Sequence, residues 1–166
     1  MRFLRHRIAV VSMIVLILIA LVAVFAEQVA PYGYDEQNYD IINQRPSLEY
    51  PFGTDQLGRD YLSRVIFGLR TSLWVAFTVA VLSTAIGTIV GAIAGYYGGV
   101  IDNLLMRFTD LILVLPALAV LLAAANFLNE SGSPLVAAFL LAAILWVGLA
   151  RILRGLFLSL REKEYV

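Results

Sequence analysis

Phe52-Gly53-Thr54-Asp55-Gln56-Leu57-Gly58-Arg59-Asp60-Tyr61-Leu62-Ser63-Arg64-Val65-Ile66-Phe67-Gly68-Leu69-Arg70-Thr71-Ser72-Leu73 is a dense run of charge set between long apolar segments. At 100° per residue, Leu57, Tyr61, Leu62, Val65, Ile66, Leu69 and Leu73 fall on one half of a helical wheel. Gln56, Arg59, Asp60, Ser63, Arg64 and Arg70 take the other half, with Phe67 the one misfit. Asp55 stands four residues before Arg59 and Asp60 four before Arg64. That acid-first order favours ion pairs along a helix, at about 0.2–0.5 kcal/mol each. The stretch therefore reads as an interfacial helix over 55–70 that runs on into a membrane crossing.

The composition outside this stretch agrees. Of 166 residues, 61% are hydrophobic and 14% charged, and the mean hydropathy is +0.86. Soluble domains carry about 25% charged residues, so the chain is that of an integral membrane protein. A formal net charge of zero argues against nucleic acid as a partner. With no cysteine there is no disulfide and no thiolate metal site.

Upstream, Arg2, Arg5, His6 and Arg7 form a basic flank before the uncharged residues 8–26. Nineteen residues at 1.5 Å each span about 28 Å, close to the hydrocarbon thickness. A secretory signal has a shorter apolar region, so a first transmembrane helix is the better reading. Residues 27–50 are polar and irregular, broken by Pro31 and Pro46 and leading to Pro51. Their tyrosines, 32, 34, 39 and 50, suit the headgroup region.

Downstream, residues 71–95 are uncharged and form a second span. Gly87, Gly91 and Gly95 recur every four residues, a ridge on which another backbone can pack closely. The sequence leaves open whether that backbone belongs to this chain or to a second subunit. A third span is expected over 105–126, kinked by Pro116, with Asp110 at its lip needing a partner such as Arg107. After a polar turn over 126–133, a fourth span covers 134–150, followed by a basic amphipathic segment over 151–166. With the N-terminus inside, eight basic residues lie inside and four (Arg45, Arg59, Arg64, Arg70) outside, which places both termini in the cytoplasm. The expected fold class is all-α: a polytopic transmembrane helical bundle of about four spans. Its division is an N-terminal part, 1–50, and a transmembrane part, 51–166.

There is no GxxxxGK[ST] to cradle ATP phosphates, no HExxH and no serine elbow, so the chain reads as neither an enzyme nor a binder of any cofactor. Gly53, Thr54, Asp55, Gly58, Arg59, Asp60, Ser63, Arg64, Gly68 and Arg70 together resemble the signature of one family. It is that of the permease subunits of ABC importers for dipeptides, oligopeptides and nickel, specifically the second of the two paired permeases. Met106-Arg107 to Asp110 with Pro116, and Ala150-Arg151 to Arg154-Gly155 with Leu158-Ser159-Leu160, are similar to that family too.

The resemblance implies an inner-membrane subunit that lines half of an alternating-access pathway. It also implies a paired permease, cytoplasmic ATPase subunits that bind the ATP, and an extracytoplasmic substrate-binding protein. Arg161, Glu162, Lys163, Glu164, Tyr165 and Val166 match the approach to the family's ATPase-docking loop. Two more membrane helices follow that loop in the family, so the chain is expected to be an N-terminal portion of a six-span permease. The competing readings are a non-transporting membrane scaffold or assembly protein that packs through the glycine ridge, an inactive truncated permease, and an ion-coupled transporter using Asp110.

Overall fold

The computed structural model describes residues 6–127 and 133–161. Over these the chain is all-α: α1 (Arg7–Val24), α2 (Ala26–Val29), α3 (Tyr61–Tyr97), α4 (Gly99–Val114), α5 (Ala117–Phe127) and α6 (Pro134–Arg161), with a 3-10 turn at Tyr39–Ile41. An isolated antiparallel bridge joins Thr54 and Asp60. Three helices, α1, α3 and α6, are long and apolar enough to cross a membrane. A fourth crossing follows if α4 and α5, bent by 79° at their junction, act as one. A helix satisfies its own backbone in lipid, which is why the long apolar segments are helices.

The chain divides into two compact units, Met1–Trp74 and Val75–Val166, the division falling inside α3. The sequence reading puts its boundary before Pro51. Residues 51–60 pack onto 38–47, as the hydrogen bonds from Asn43 to Asp55 and from Thr54 to Gln44 show.

In the first unit, α1 leaves nearly all its side chains exposed, as suits a lipid-facing helix. The helix expected over 55–70 begins only at Tyr61, and residues 51–60 are turns. The cause is local. Asp55 accepts the amides of Leu57 and Arg59 on its own side chain, and Gly58 sits at φ +69°, so the chain turns back instead of winding.

The buried face of α3 also departs from the wheel. Ser63 is fully buried, while Tyr61 and Val65 on the apolar half are about half exposed. The preceding segment lies over the side that carries Ser63 and Phe67: the Tyr32 amide donates to Ser63 Oγ, and Tyr34 meets Phe67 edge to face at 5.9 Å. Phe67 is thus no misfit. On the apolar half of the wheel Ile66 is buried, while Tyr61 and Val65 are left uncovered by this unit.

In the second unit the glycine ridge of α3 lies against α6. A Cβ added at Gly87 would stand 2.9 Å from the carbonyl oxygen of Trp146. At Gly91 it would stand 2.5 Å from that of Ala150, and at Gly95 2.9 Å from that of Arg154. As the glycine number rises by four, so does the number of the carbonyl it meets, and the two helices therefore run parallel. Between two parallel crossings the chain must return once, and the bent pair α4–α5 is what lies between them.

Trp146, Val147 and Ala150 form the core of this seam, with Val90 of α3 and Ile112 of α4 packed on it. The Trp146 indole N–H donates to the Ala143 carbonyl at 2.9 Å, and its ring stacks on Phe108 at 6.4 Å.

The third span is not the single kinked helix expected over 105–126. α4 starts at Gly99, and the helix breaks at Leu115-Pro116. Leu115 is extended, as the residue before a proline prefers to be, and Pro116 has no N–H to carry the helix on. α6 continues beyond 150 to Arg161, so the described part of the segment after residue 150 is helical.

The seam yields a test. Gly91→Leu drives a side chain into the α6 backbone, and overpacking of this kind costs roughly 1–3 kcal/mol. Gly68→Leu is the control, because a Cβ at Gly68 meets nothing within 4 Å. Unfolding in mixed detergent micelles should show the loss for Gly91→Leu and none for Gly68→Leu.

Candidate functional site

The signature residues build a closed loop ahead of α3, in which nearly every side chain has an identifiable partner. Gly53 (φ +74°) lets the backbone approach Gln44, where a Cβ would lie 2.4 Å from the carbonyl oxygen. Gly58 (φ +69°) does the same against Asn38, where a Cβ would lie 1.7 Å from the carbonyl oxygen. No L side chain fits at either place.

Thr54 Oγ1 donates to the Ile41 carbonyl and accepts the Gln44 amide at 2.9 Å. Asp55 is the hub. Its Oδ1 accepts the amides of Leu57 (2.8 Å) and Arg59 (3.0 Å), and its Oδ2 takes Arg59 Nε and Nη2, each at 2.8 Å. Burial pushes the Asp55 carboxyl up, but the amides and guanidinium around it outweigh this and hold it below the usual carboxylate range.

The acid-first pairing expected along a helix therefore exists for Asp55 and Arg59, but inside a turn. The second expected pair, Asp60 with Arg64, does not form. Asp60 caps α3 instead: its Oδ2 accepts the Ser63 amide at 2.8 Å and the Ser63 hydroxyl at 2.7 Å. Arg64 lies over the Tyr34 ring at 5.1 Å, and its Nη1 is 3.6 Å from Asp55 Oδ2. Arg70 pairs with Glu27 at 2.8 Å across exposed surface. Gly68 lines an open groove of about 520 Å³ with Tyr34, Phe67, Arg70, Thr71 and Ser72.

Two tyrosines expected at the headgroups belong to the interior of this loop. Tyr32 and Tyr50 stack at 5.2 Å, and Tyr50 is only 8% exposed. The Tyr50 hydroxyl is pushed up to about 12, first by its hydrogen bond with Tyr32 and then by burial and the charges of Glu49 and Asp60. Tyr39 bonds to Gln37 at the surface. A sequence sign of the inward pair existed in the alternation of tyrosine with proline and glycine, but it does not say which rings meet.

The second unit holds its charges in two pairs between α4 and α6. Arg154 grips Asp102 with both arms of its guanidinium, the second bond measuring 2.5 Å, and Arg151 bonds to Asp110. Asp110 was expected to pair with Arg107, on its own helix; Arg151 from α6 takes that place. Arg107 has no ion-pair partner among the described residues. Arg161 Nη1 reaches the Tyr96 carbonyl at 3.4 Å. Glu162, Lys163, Glu164, Tyr165 and Val166 lie outside the described residues. Among the described residues no group of three acidic, histidine or cysteine side chains could hold a metal ion.

Two family matches lie on either side of the signature stretch. Residues 1–46 match the family described as the N-terminal TM domain of oligopeptide transport permease C. Residues 87–166 match that described as the binding-protein-dependent transport system inner membrane component. The chain is 36% identical to the oligopeptide transport system permease protein OppC of Mycobacterium tuberculosis (strain ATCC 25618 / H37Rv), over 99% of this chain and 57% of that protein. It is 35% identical to OppC of Bacillus subtilis (strain 168), over 100% of this chain and 54% of that protein. It is 33% identical to the dipeptide transport system permease protein DppC of Haemophilus influenzae (strain ATCC 51907 / DSM 11121 / KW20 / Rd), over 99% of this chain and 57% of that protein. The chain thus spans a little over half the length of these relatives.

Asp55 sets a pH test for the loop. A carboxyl held low in the folded state stabilises it fully above its unfolded value of 3.8 and loses that contribution as pH falls through the lower folded value. Hydrogen exchange of the Leu57 and Arg59 amides should stay protected at pH 5 (on the order of one unit above the carboxylate range). Protection should collapse only below 3.8. In Asp55→Ala it should be absent throughout.

Proposed function

We propose that this chain, which belongs to the inner-membrane permease family of binding-protein-dependent transport systems, lines half of the translocation pathway of an ATP-driven peptide importer. The observation that carries the reading is the likeness, along nearly the whole chain, to oligopeptide and dipeptide permeases. The other half of the pathway comes from a paired permease. The ATP is bound and hydrolysed by separate cytoplasmic ATPase subunits, and an extracytoplasmic binding protein delivers the substrate. Short peptides are the favoured cargo over nickel.

The orientation follows from charge and packing together. With the N-terminus in the cytoplasm, α1 leads out and α3 leads in. The pair α4–α5 then returns and α6, parallel to α3, leads in again. This keeps the larger share of Arg and Lys inside. The signature loop then faces outward, toward an arriving binding protein. The ion pairs Asp102–Arg154 and Asp110–Arg151 tie α4 to α6 on the way to the inner end of α6, where Arg161 stands. Motion imposed at that end by an ATPase would be passed to α4 through charge-assisted bonds, which are directional and stronger than neutral ones. The signature residues have an architectural part in this: they hold the loop closed.

Deletion of the gene in its native host tests the proposal. Uptake of a labelled tripeptide should fall to the level of an uncoupled cell and return on complementation, with nickel uptake unchanged. Unchanged peptide uptake in the deletion would contradict the reading. A reporter active only outside the cytoplasm should give signal at Asn43 and none at Arg161; the reverse would reject the orientation.

A further inference from the structure

Two buried side-chain atoms of the loop have no hydrogen-bond partner, Asp60 Oδ1 and Arg64 Nη1. Asp60 is only 3% exposed, and its Oδ2 is taken by the amide and hydroxyl of Ser63. Its Oδ1 is buried and has no hydrogen-bond partner. Neither Asp60 nor Glu36 forms an ion pair among the described residues. Of the nearby cations, Arg59 pairs with Asp55 and Arg70 with Glu27, while Arg64 lies over Tyr34 with its Nη1 3.6 Å from Asp55, itself without a hydrogen bond, and makes no ion pair with Asp60. The start of α3 offsets the charge of Asp60 in part, but a buried carboxylate without a counter-charge is costly.

Asp60 lines a cavity of about 120 Å³ whose other walls are Tyr32, Glu36, Asn38, Ile41, Tyr50 and Gly58. Two carboxylates, two phenols and no basic residue give it a negative field. The cavity exists because Gly58 lets the 57–59 turn close on Asn38.

We propose that this cavity binds a primary ammonium group. A multivalent metal ion needs several oxygen ligands, and no group of three candidate side chains comes together among the described residues. A guanidinium prefers two parallel bonds to one carboxylate, and Asp60 has a single oxygen to give. An ammonium is a compact charge with three donors, suited to Asp60 Oδ1 and the hydroxyls of Tyr32 and Tyr50, and the aromatic rings favour a cation at their faces. The group could be presented by the free amino terminus of a short peptide or by a lysine side chain. The site does not depend on the transport reading.

The test uses the whole chain in lipid nanodiscs, labelled at the tyrosine ring carbon that bears the hydroxyl. Methylammonium should shift the Tyr32 and Tyr50 resonances saturably, and tetramethylammonium, which has no donor, should not. Asp60→Asn keeps the cap and removes the charge, and should weaken binding about tenfold or more. Hydrogen exchange of the Ser63 amide reports whether the cap survives. If it does not, Glu36→Gln, on an exposed side chain, takes its place as the deciding variant and should weaken binding by less. Glycylglycine, which offers only an α-ammonium, and Nα-acetyl-lysine amide, which offers only a side-chain ammonium, separate the two sources by which shifts the pair at the lower concentration. No saturable shift with methylammonium, an equal shift with tetramethylammonium, or full affinity in the deciding variant would overturn the site.

Discussion

Backbone contact between α3 and α6 is the constraint on which the second unit depends. Lipid is as apolar as a leucine side chain, so burying hydrophobic surface drives helices together only weakly, and close packing must do the work. The three glycines give α3 a face without side chains, and the carbonyls of Trp146, Ala150 and Arg154 come down onto it. From that seam the rest follows. The parallel register forces a return crossing, the return is made by α4 and α5, and α4 is then near enough to α6 for Asp102 and Asp110 to find Arg154 and Arg151. Each of these acids meets a base, so neither is left without a counter-charge.

The first unit is held by different physics. Its loop is wet and polar, and what closes it is a set of obligatory hydrogen bonds around Asp55 and Thr54, admitted by the close approach of backbone at Gly53 and Gly58. Residues that look like a functional signature in the sequence prove to be largely the bolts of this loop. Their chemistry is positional: Asp60 starts α3, and Ser63 ties α3 to Tyr32. Gly68, where a Cβ would meet nothing, and Arg70, paired with Glu27 across exposed surface, have no part in the closure.

Long-period features were legible in the sequence, and short-range turn chemistry was not. The apolar runs announce α1, α3 and α6 because seventeen or more uncharged residues in a row have few other uses. The spacing of Gly87, Gly91 and Gly95 announces a packing face, but not its partner, since register on one helix carries no information about which other helix answers it. The helix expected over 55–70 fails at its first six residues for a reason visible afterwards. Asp at 55 and Gly at 58 are turn residues, and their turn-forming chemistry outweighs the periodicity of Leu57 with Tyr61. The pairing of Asp110 with Arg151 was out of reach for a similar reason: three residues along one helix is a distance the sequence displays, whereas contact between α4 and α6 depends on the bend at Pro116.

The parallel seam is the claim that most needs a direct measurement. The chain contains no cysteine, so pairs can be introduced without background. Val90→Cys with Val147→Cys places two thiols on the packed face of α3 and α6, and Val79→Cys with Leu158→Cys, on the same two faces, would meet only if the helices ran antiparallel. A short bifunctional thiol reagent applied to native membranes should link the first pair within one chain and leave the second unlinked. Linking of the second pair without the first would contradict the seam, the return crossing and the topology built on them.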